Sequence, residues 1–558
     1  MRVTICHRGD GHEGRRIDIM KDQPWLLIFA TPLFNDIKDA VVNPNPKNDA
    51  DRWRPTGLHP RASVMTQSVQ LRRAFRSLLQ WVVPVIGFLW LTGCALFGPD
   101  YESPKTDAPG QWRSKDAYAQ IGGQPLPEMA WWQKLGDPVL DDLVKRALVS
   151  NNTVQAAIGN VFKARAILEQ IEMRWVPKVD AGAGFISTDH EINQSTGSSL
   201  PYSGFTAGFI PNYELNILQQ LRNLEQAEAN IDVTVAAKNA VRLAVISQVV
   251  GSYLGLQEER YRLELQRNLV DALDEIVQKY TAAHLEGLIS AYVLREYQLQ
   301  LANARADLPV IEYNIVRFGN TLHALLNENP GPIKPGKPFM EVPYKGIISA
   351  NLPSSVLKNR PDVLAAEQNV RQSNAGIGVQ TSFFFPTINL TGPVGQSSTS
   401  LSNLFNAPTS YWQYSGGFQM PIVNLGQFGA IKSAKAQYYA DFYNYQQTVR
   451  DAFASVDTDL SAHQKYTDSL DQMLLFFETS LQRLDNEAVR HQEGLVPYPS
   501  VLNLRVTKDQ AGIQTAQTKY NQMMSIVRLY QDLGGGYAVN NNEDVHDLGD
   551  GHRFGDLF

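Results

Sequence analysis

The chain has 558 residues, 50 Lys and Arg against 56 Asp and Glu, a formal charge of −6, 43% hydrophobic residues and two cysteines, Cys6 and Cys94. That length is enough for a large core, the acidic balance excludes a partner held by phosphate charge, and two cysteines exclude a disulfide framework. No stretch after Cys94 reaches 18 consecutive apolar residues, so no membrane-spanning helix is predicted there.

Residues 1–64 are rich in Arg, Pro and Asp, carry neither a helical nor a strand period, and end just before Met65. They read as an over-extended upstream frame and are set aside from fold reasoning. Residues 65–93 have the layout of a secretory signal. Arg72, Arg73 and Arg76 form a positive start, Trp81 to Leu91 an apolar run broken once by Pro84, and Thr92 and Gly93 a small-residue edge. The run is shorter than the roughly 20 residues a spanning helix needs. Leu91-Thr92-Gly93-Cys94 matches the lipobox of bacterial lipoproteins, so Cys94 is predicted to be lipidated and to open the mature chain, with 94–130 as its acylated N-terminal segment. Residues 1–93 hold 13 Lys and Arg and 8 Asp and Glu, so their +5 leaves −11 on residues 94–558.

From residue 131 the chain says everything twice. "NNTVQAAIGNVFKARAILEQIEMRWVPKVDAGAG" (151–184) faces "RPDVLAAEQNVRQSNAGIGVQTSFFFPTINLTG" (360–392), with Ala157 against Ala366 and Pro177 against Pro386. "HLEGLISAYVL" (284–294) faces "HQEGLVPYPSVL" (491–502) at an offset near 207. Copies of about 200 residues are too long for a solenoid repeat and read as a duplicated half-domain. The predicted divisions are a first repeat over 131–333, an equatorial linker over 334–351, a second repeat over 352–537 and a polar tail over 538–558. Strands are expected over about 178–212 and 387–421, and helical hairpins over about 215–328 and 422–535.

Within each repeat a helix ends at a proline and two alternating segments follow. "KVDAGAGF" sets Val179, Ala181, Ala183 and Phe185 against Asp180, Gly182 and Gly184. "GFTAGFIPNY" sets Phe205, Ala207, Phe209 and Tyr213 on one face, and "TINLTGPV" sets Ile388, Leu390 and Val394. "YWQYSGGFQMPI" sets Trp412, Tyr414, Phe418, Met420 and Ile422 against Gln413, Ser415 and Gln419. Segments of about ten residues with this period suit a transmembrane β-barrel, with Tyr411, Trp412 and Tyr414 as an interface girdle. The same period also fits two hairpins on a soluble core. Next comes a long helix, with Leu221, Leu224, Ala227, Ile231 and Val235 at spacings of three and four. It would be roughly 100 Å long at about 1.5 Å per residue, and it folds back at Gly287 or Gly494 into an antiparallel hairpin. Four strands cannot close a barrel, which needs about eight, so the chain is predicted to oligomerise; three copies give twelve strands and an open lumen.

These features together resemble the outer-membrane efflux protein family, the TolC/OprM/NodT-like exit ducts of RND-type tripartite pumps. The resemblance spans nearly all of residues 94–558. "CALFGPDYESP" is similar to the family's acylated start, and "WWQKLGDPVLDDLVKRALVSNN" to its first helix. "RPDVLAAE" (360–367) is similar to the hallmark opening its second repeat, and "DLGGGY" (532–537) to its close. The resemblance implies an α+β membrane protein, a homotrimer with a twelve-stranded barrel in outer-membrane lipid, continued by a periplasmic tunnel of coiled-coil hairpins. It also implies partners, a periplasmic adaptor and an inner-membrane RND-type transporter, and passive export of small molecules such as drugs or toxic compounds. The elbows would form the periplasmic gate and adaptor tip, carried by Gly287, Ser290, Gly494, Tyr498, Ser500, Leu502 and Asn503, with Ser500, Leu502 and Asn503 nearest the axis. Relatives commonly place Asp at the positions of Ser500 or Asn503. Here they are neutral, so the resemblance implies closure by packing around Leu502 and Tyr498.

Catalytic patterns are thin. Of the seven histidines after Cys94 (His190, His284, His323, His463, His491, His546 and His552) none has a metalloprotease spacing, and there is no Gly-x-Ser-x-Gly elbow. "GQFGAIKS" lacks the Gly-Lys-Ser triplet of a phosphate loop. No enzyme activity, cofactor, metal site or nucleic-acid partner is predicted. The alternative reading is a lipid-anchored coiled-coil envelope scaffold, which explains the helices and leaves the aromatic-edged strands without a role.

Overall fold

The computed structural model describes residues 99–104, 125–187, 203–345, 358–406 and 410–539, all within one compact unit, Trp90–Phe558. The readings of 1–64, of the signal segment and of Cys94 lie outside the described residues, as do His190, His546 and His552.

Among the described residues, seven α-helices and six short strands follow one another in an order that occurs twice. After α1 (Pro138–Ser150) come α2 (Asn152–Glu172), β1 (Lys178–Ser187), β2 (Ser203–Leu215), α3 (Ile217–Leu285) and α4 (Ala291–Leu325). Then come α5 (Pro361–Ser382), β3 (Thr387–Thr391), β4 (Val394–Ser398), β5 (Ser410–Trp412), β6 (Ser415–Gln419), α6 (Leu425–Gln492) and α7 (Tyr498–Asp532). The long helices have 69 and 68 residues and the return helices 35 each. Local chemistry repeats with them. Asn216 and Asn424 cap α3 and α6, each accepting at its side-chain oxygen from the third residue on, Gln219 and Gln427. At the elbows Leu288 N–H donates to Ala283 O and Leu495 N–H to Arg490 O, both at 2.9 Å. Gly287 and Gly494 take φ of 74° and 76°, the left-handed turn that ends a helix and that glycine adopts without strain. α4 continues through Pro309 to Leu325.

Each half is closed by the same kind of tie. Asn151, which caps α2, donates from Nδ2 to the carbonyl of Leu325, the last residue of α4, at 2.8 Å. At the equivalent place Arg360, before α5, donates from Nη1 to the carbonyl of Asp532, the last residue of α7, at 2.9 Å. Arg360 also grips Asp362 with Nε and Nη2 at 3.0 and 2.7 Å and reaches Ser455 at 3.1 Å. The two motifs at the ends of the second half thus meet. A Cβ on Gly534 (φ 71°) would lie 2.2 Å from Asn359 O, so only glycine fits that crossing.

The six strands are four chain passes. β2 pairs antiparallel with β1, and on its other edge with β3 and then β4, in one unbroken register (Asn212 with Thr391, Phe209 with Val394). β6 and β5 continue the ladder on the far side, Leu390 with Gly416 and Val394 with Trp412. The break at Gly392-Pro393 follows from proline's missing donor. Gly392 N–H still reaches Pro211 O at 3.1 Å, and Gln413 N–H reaches Pro393 O at 2.9 Å. Among the described residues, β1 and the β5/β6 pass have no further strand partner and stand as the edges of this sheet.

Directly opposed residues share a face, so the register sorts the whole sheet. One face carries Val179, Ala181, Ala183, Phe185, Phe205, Ala207, Phe209, Tyr213, Ile388, Leu390, Val394, Trp412 and Phe418, joined toward the loop end of β4 and β5 by Gln396, Ser398 and Ser410. The other carries Asp180, Gly182, Gly184, Thr206, Gly208, Asn389, Thr391, Gly395, Ser397, Ser415 and Gln419. Phe185 and Phe205 touch across the pair at 4.9 Å, and Trp412 stacks on Tyr414 at 5.0 Å. None of the described residues covers the apolar face, where Phe209, Trp412 and Phe418 are 58, 68 and 69% exposed. Tyr411 alternates onto the polar face, which corrects its grouping with Trp412 and Tyr414 as one girdle.

The helices lie side by side. α3 packs on α2 and α5 toward the sheet and on α4 and α7 toward the elbows, while α6 packs on α5 and α7. α7 therefore sits between the two long rods. At mid-length a core joins Ile246, Val249, Val250 and Tyr253 of α3 to Leu140, Leu143 and Val144 of α1 and to Met523, Ile526 and Tyr530 of α7. Trp131, fully buried, stacks on Tyr530 at 4.8 Å. α3 has a stretch long and apolar enough to cross a membrane by composition, half buried inside the chain.

Candidate functional site

Two regions are neither core nor plain surface: the pair of elbows, and the edges the chain leaves without partners.

At the first elbow Ser290 caps α4, its hydroxyl accepting from Val293 N–H at 3.4 Å, and Gly287 is exposed beside Leu285 and Leu288. At the second, Pro497 precedes α7, and Tyr498, its first residue, lies with its ring 5.2 Å from that of His491. His284 and His491 use Nδ1 in the same way, toward Ile289 O at 3.0 Å and Val496 O at 2.9 Å, so each imidazole braces its own turn. Ser500 N–H donates to Pro497 O at 3.0 Å, and its side chain is half-buried.

Leu502 is turned into the protomer. It is fully buried in a cluster with Leu269, Leu273 and Ile276 of α3 and Leu301 and Ala304 of α4. The expectation that it lies nearest the axis is corrected, because α7 turns its apolar stripe into the first hairpin. Asn503 is engaged as well, its Oδ1 accepting from Tyr297 Oη at 3.0 Å, while Tyr297 packs edge-on against Tyr280 at 4.9 Å. Two residues on from Asn503, Arg505 pairs with Glu275 at 3.7 Å. Together these contacts latch the second hairpin to the first just behind the tips. Tyr297, Glu275 and Arg505 were not singled out from sequence. The repeat offset held the clue, since Tyr297 and Asn503 fall one residue from equivalence in the two halves.

Further from the tips, residues 339–345 strap the second hairpin. Lys519 of α7, 2% exposed, donates to Met340 O at 2.8 Å, with its ammonium over the rings of Phe339 and Tyr344. Burial pulls it down to about 8. Gln522 reaches Tyr344 O at 3.1 Å, and Tyr344 Oη and Lys345 Nζ both hold Asp471 of α6 at 2.9 Å. Nearby, burial and then the Asp532 carboxylate push Asp459 up to about 7, and burial takes His463 down to about 4 beside Ser525. Among the described residues no three His, Cys, Asp or Glu side chains gather as a metal site.

The unpartnered edges are apolar. α4 exposes Tyr292, Leu299, Val310, Tyr313 and Val316, and α6 exposes Tyr439, Tyr443, Leu475, Phe476 and Val489. The N-terminal stretch Pro99–Pro104 is tied along α5. Asn374 donates to Pro99 O at 2.9 Å, Asp100 pairs with Arg222 at 3.7 Å, and Ser103 donates to Glu367 at 2.6 Å. Read backwards, it heads toward the end of α5 that leads into the sheet.

The family model described as outer membrane efflux protein matches the chain twice, over residues 143–328 and 352–535. The solvent efflux pump outer membrane protein SrpC of Pseudomonas putida is 28% identical over 475 residues, covering 82% of this chain and 99% of SrpC. The cation efflux system protein CusC of Escherichia coli (strain K12) is 26% identical over 465 residues, covering 82% and 99%. Among solved structures, the Campylobacter jejuni CmeC outer membrane channel superposes with a TM-score of 0.70 at 21% identity, covering 81% of this chain and 98% of CmeC. The open-state Neisseria gonorrhoeae MtrE outer membrane channel gives 0.69 at 24%, covering 79% and 98%. With two matched segments filling most of its length, and two strand passes and one helical hairpin in each half, the chain belongs to the outer membrane efflux protein family.

Proposed function

We propose that the protein is the outer-membrane exit duct of a tripartite efflux pump, passing small molecules from a periplasmic adaptor and an RND-type inner-membrane transporter to the exterior. One observation carries this reading: a four-pass sheet with one face apolar and uncovered, the other polar, and both edges unpaired, continued by rods about 100 Å long. Edges with free N–H and C=O groups cannot face lipid. Three copies close them into twelve strands with a polar lumen, and two would fill the lumen with side chains. The apolar edges of α4 and α6 supply the matching seam between protomers, and the recurring element order supports an origin by duplication. SrpC is named for solvents and CusC for cations, so both classes are the cargo to test first.

Cys94 is the lipid anchor in this reading. From Pro99 back to Cys94 an extended chain reaches about 17 Å, and the helix from Asn374 to Ser382 rises about 12 Å toward the sheet. An acyl group on Cys94 is therefore within reach of the membrane the barrel spans. Cys94→Ser is expected to abolish acyl labelling and leave the barrel assembled, because the strands supply their own membrane affinity. Loss of the barrel along with the label would show that the anchor is needed for insertion.

The latch behind the tips holds the duct narrow. Purified protein in planar bilayers is expected to show a small resting conductance that rises several-fold when Tyr297→Phe and Arg505→Ala are combined. Cross-linking in membranes should stop at three protomers. A ladder ending at two, or no conductance in wild type and variant alike, would defeat the duct reading.

A further inference from the structure

On the elbow side of the mid-length core, α3 meets α7 along the seam between the two hairpins. A Cβ on Gly251 would touch Met524 at 3.2 Å, and a Cβ on Gly512 would touch Leu265 at 2.9 Å. The helices run antiparallel, and Glu258 falls midway between these crossings, level with Tyr520. Glu258 is 2% exposed, and its Oε1 accepts no hydrogen bond. A carboxylate there has lost its water on one oxygen with nothing in exchange, so the neutral acid is the form the packed seam tolerates.

The surrounding charges do not offset this. Glu259, next in the chain and 5% exposed, repels a second negative charge. Arg262 favours the charged form, but its guanidinium is already paired with Glu259 at 3.4 Å. From α4, Asn314 donates to Glu259 at 2.8 Å, and Arg317 acts on Glu259 and Tyr520. From α7, Tyr520 and Arg528 complete the set. Burial first, then Glu259, push the Glu258 carboxyl up to about 7.

We propose that the α3–α7 seam is a proton-linked joint: protonated Glu258 lets the two hairpins pack, and its ionisation loosens the second hairpin from the first. An acid raised in the packed state binds its proton more tightly there than in the open state. The contribution is complete below its ordinary 4.5, declines as pH rises, and is gone once pH has passed about 7. The linkage belongs to the seam, and only its effect on conduction rests on the hairpins being the wall of a duct.

Hydrogen exchange of the full-length protein, corrected for the intrinsic pH dependence of amides, tests the joint. Between about pH 5 and pH 8, amides of residues 250–265 and 512–525 are expected to exchange more than about tenfold faster. Glu258→Gln should flatten that response, while Glu264→Gln, exposed on the same helix, should keep it. A wild-type slope retained in Glu258→Gln, or no slope in wild type, overturns the proposal. If Glu258→Gln does not assemble, infrared titration of the wild type decides. A buried carboxylic-acid band lost as pH rises through neutral supports the joint, and no such band refutes it. Exchange that follows pH while conductance does not would uphold the joint and count against the duct reading.

Discussion

Arg360→Ala is expected to destabilise the protein by about 2–3 kcal/mol, the cost of removing the charged hydrogen bonds of a half-buried network. Arg360 pairs with Asp532 at 3.3 Å and with Asp362 at 2.7 Å, its own side chain 13% exposed. Without it, Asp532 keeps its place beside Asp459, a group already pushed up to about 7 by burial and by that same carboxylate. The equivalent tie in the first half is neutral, so Asn151→Ala should cost only about 1–2 kcal/mol, a lost cap and a lost hydrogen bond. Arg360→Lys should fall between, keeping the charge without the two-pronged grip on Asp362. Thermal unfolding of the three variants side by side makes the comparison. Equal losses for Arg360→Ala and Asn151→Ala would mean that charge is not what closes the second half.

The second large effect is expected in the sheet, between neighbours. Phe209 and Ile210 are both apolar and both exposed, but the register puts Phe209 opposite Ala181 and Val394, and Ile210 opposite Asp180. Phe209 lies mid-strand, so Phe209→Arg should cost about 2–4 kcal/mol against lipid. Ile210→Arg, on the polar face, should be mild. Phe418, near the helical end of its strand, should tolerate Arg at about 0–1 kcal/mol, as positions near an interface do. Barrel folding into lipid vesicles would measure all three. Similar costs at 209 and 210 would reverse or erase the assignment of faces.

Much of this architecture could be read from residues in a row. The alternation in "YWQYSGGFQMPI" and the paired glycines of the two elbows depend on near neighbours, which a sequence displays. What depended on three helices meeting did not show. Leu502 looks like a pore residue on its own helix and becomes core because α3 and α4 offer it a pocket. Tyr297 and Asn503 sit 206 residues apart, and nothing local marks them as a pair. Pro309 would normally end a helix, yet α4 runs on because its other residues still pack against α3. Tyr411 groups by eye with Trp412 and Tyr414, whereas the pleat turns it the other way. The strap over α6 and α7 has no period at all and is held by individual donors such as Lys519.

The closure of each half on itself also bears on how such a chain is made. The tie from Asn151 to Leu325 spans 174 residues and that from Arg360 to Asp532 spans 172, so each of these two contacts needs only its own half. A chain delivered amino end first can complete its first loop while the second is still being threaded across the inner membrane. During that interval the free edge of β2 stands ready as the template on which β3 and β4 are laid down. Register between the halves is then set by the part that arrived first. Delay in export after about residue 345 should therefore leave a two-stranded half-sheet with both edges open, the species most prone to pair with the wrong chain.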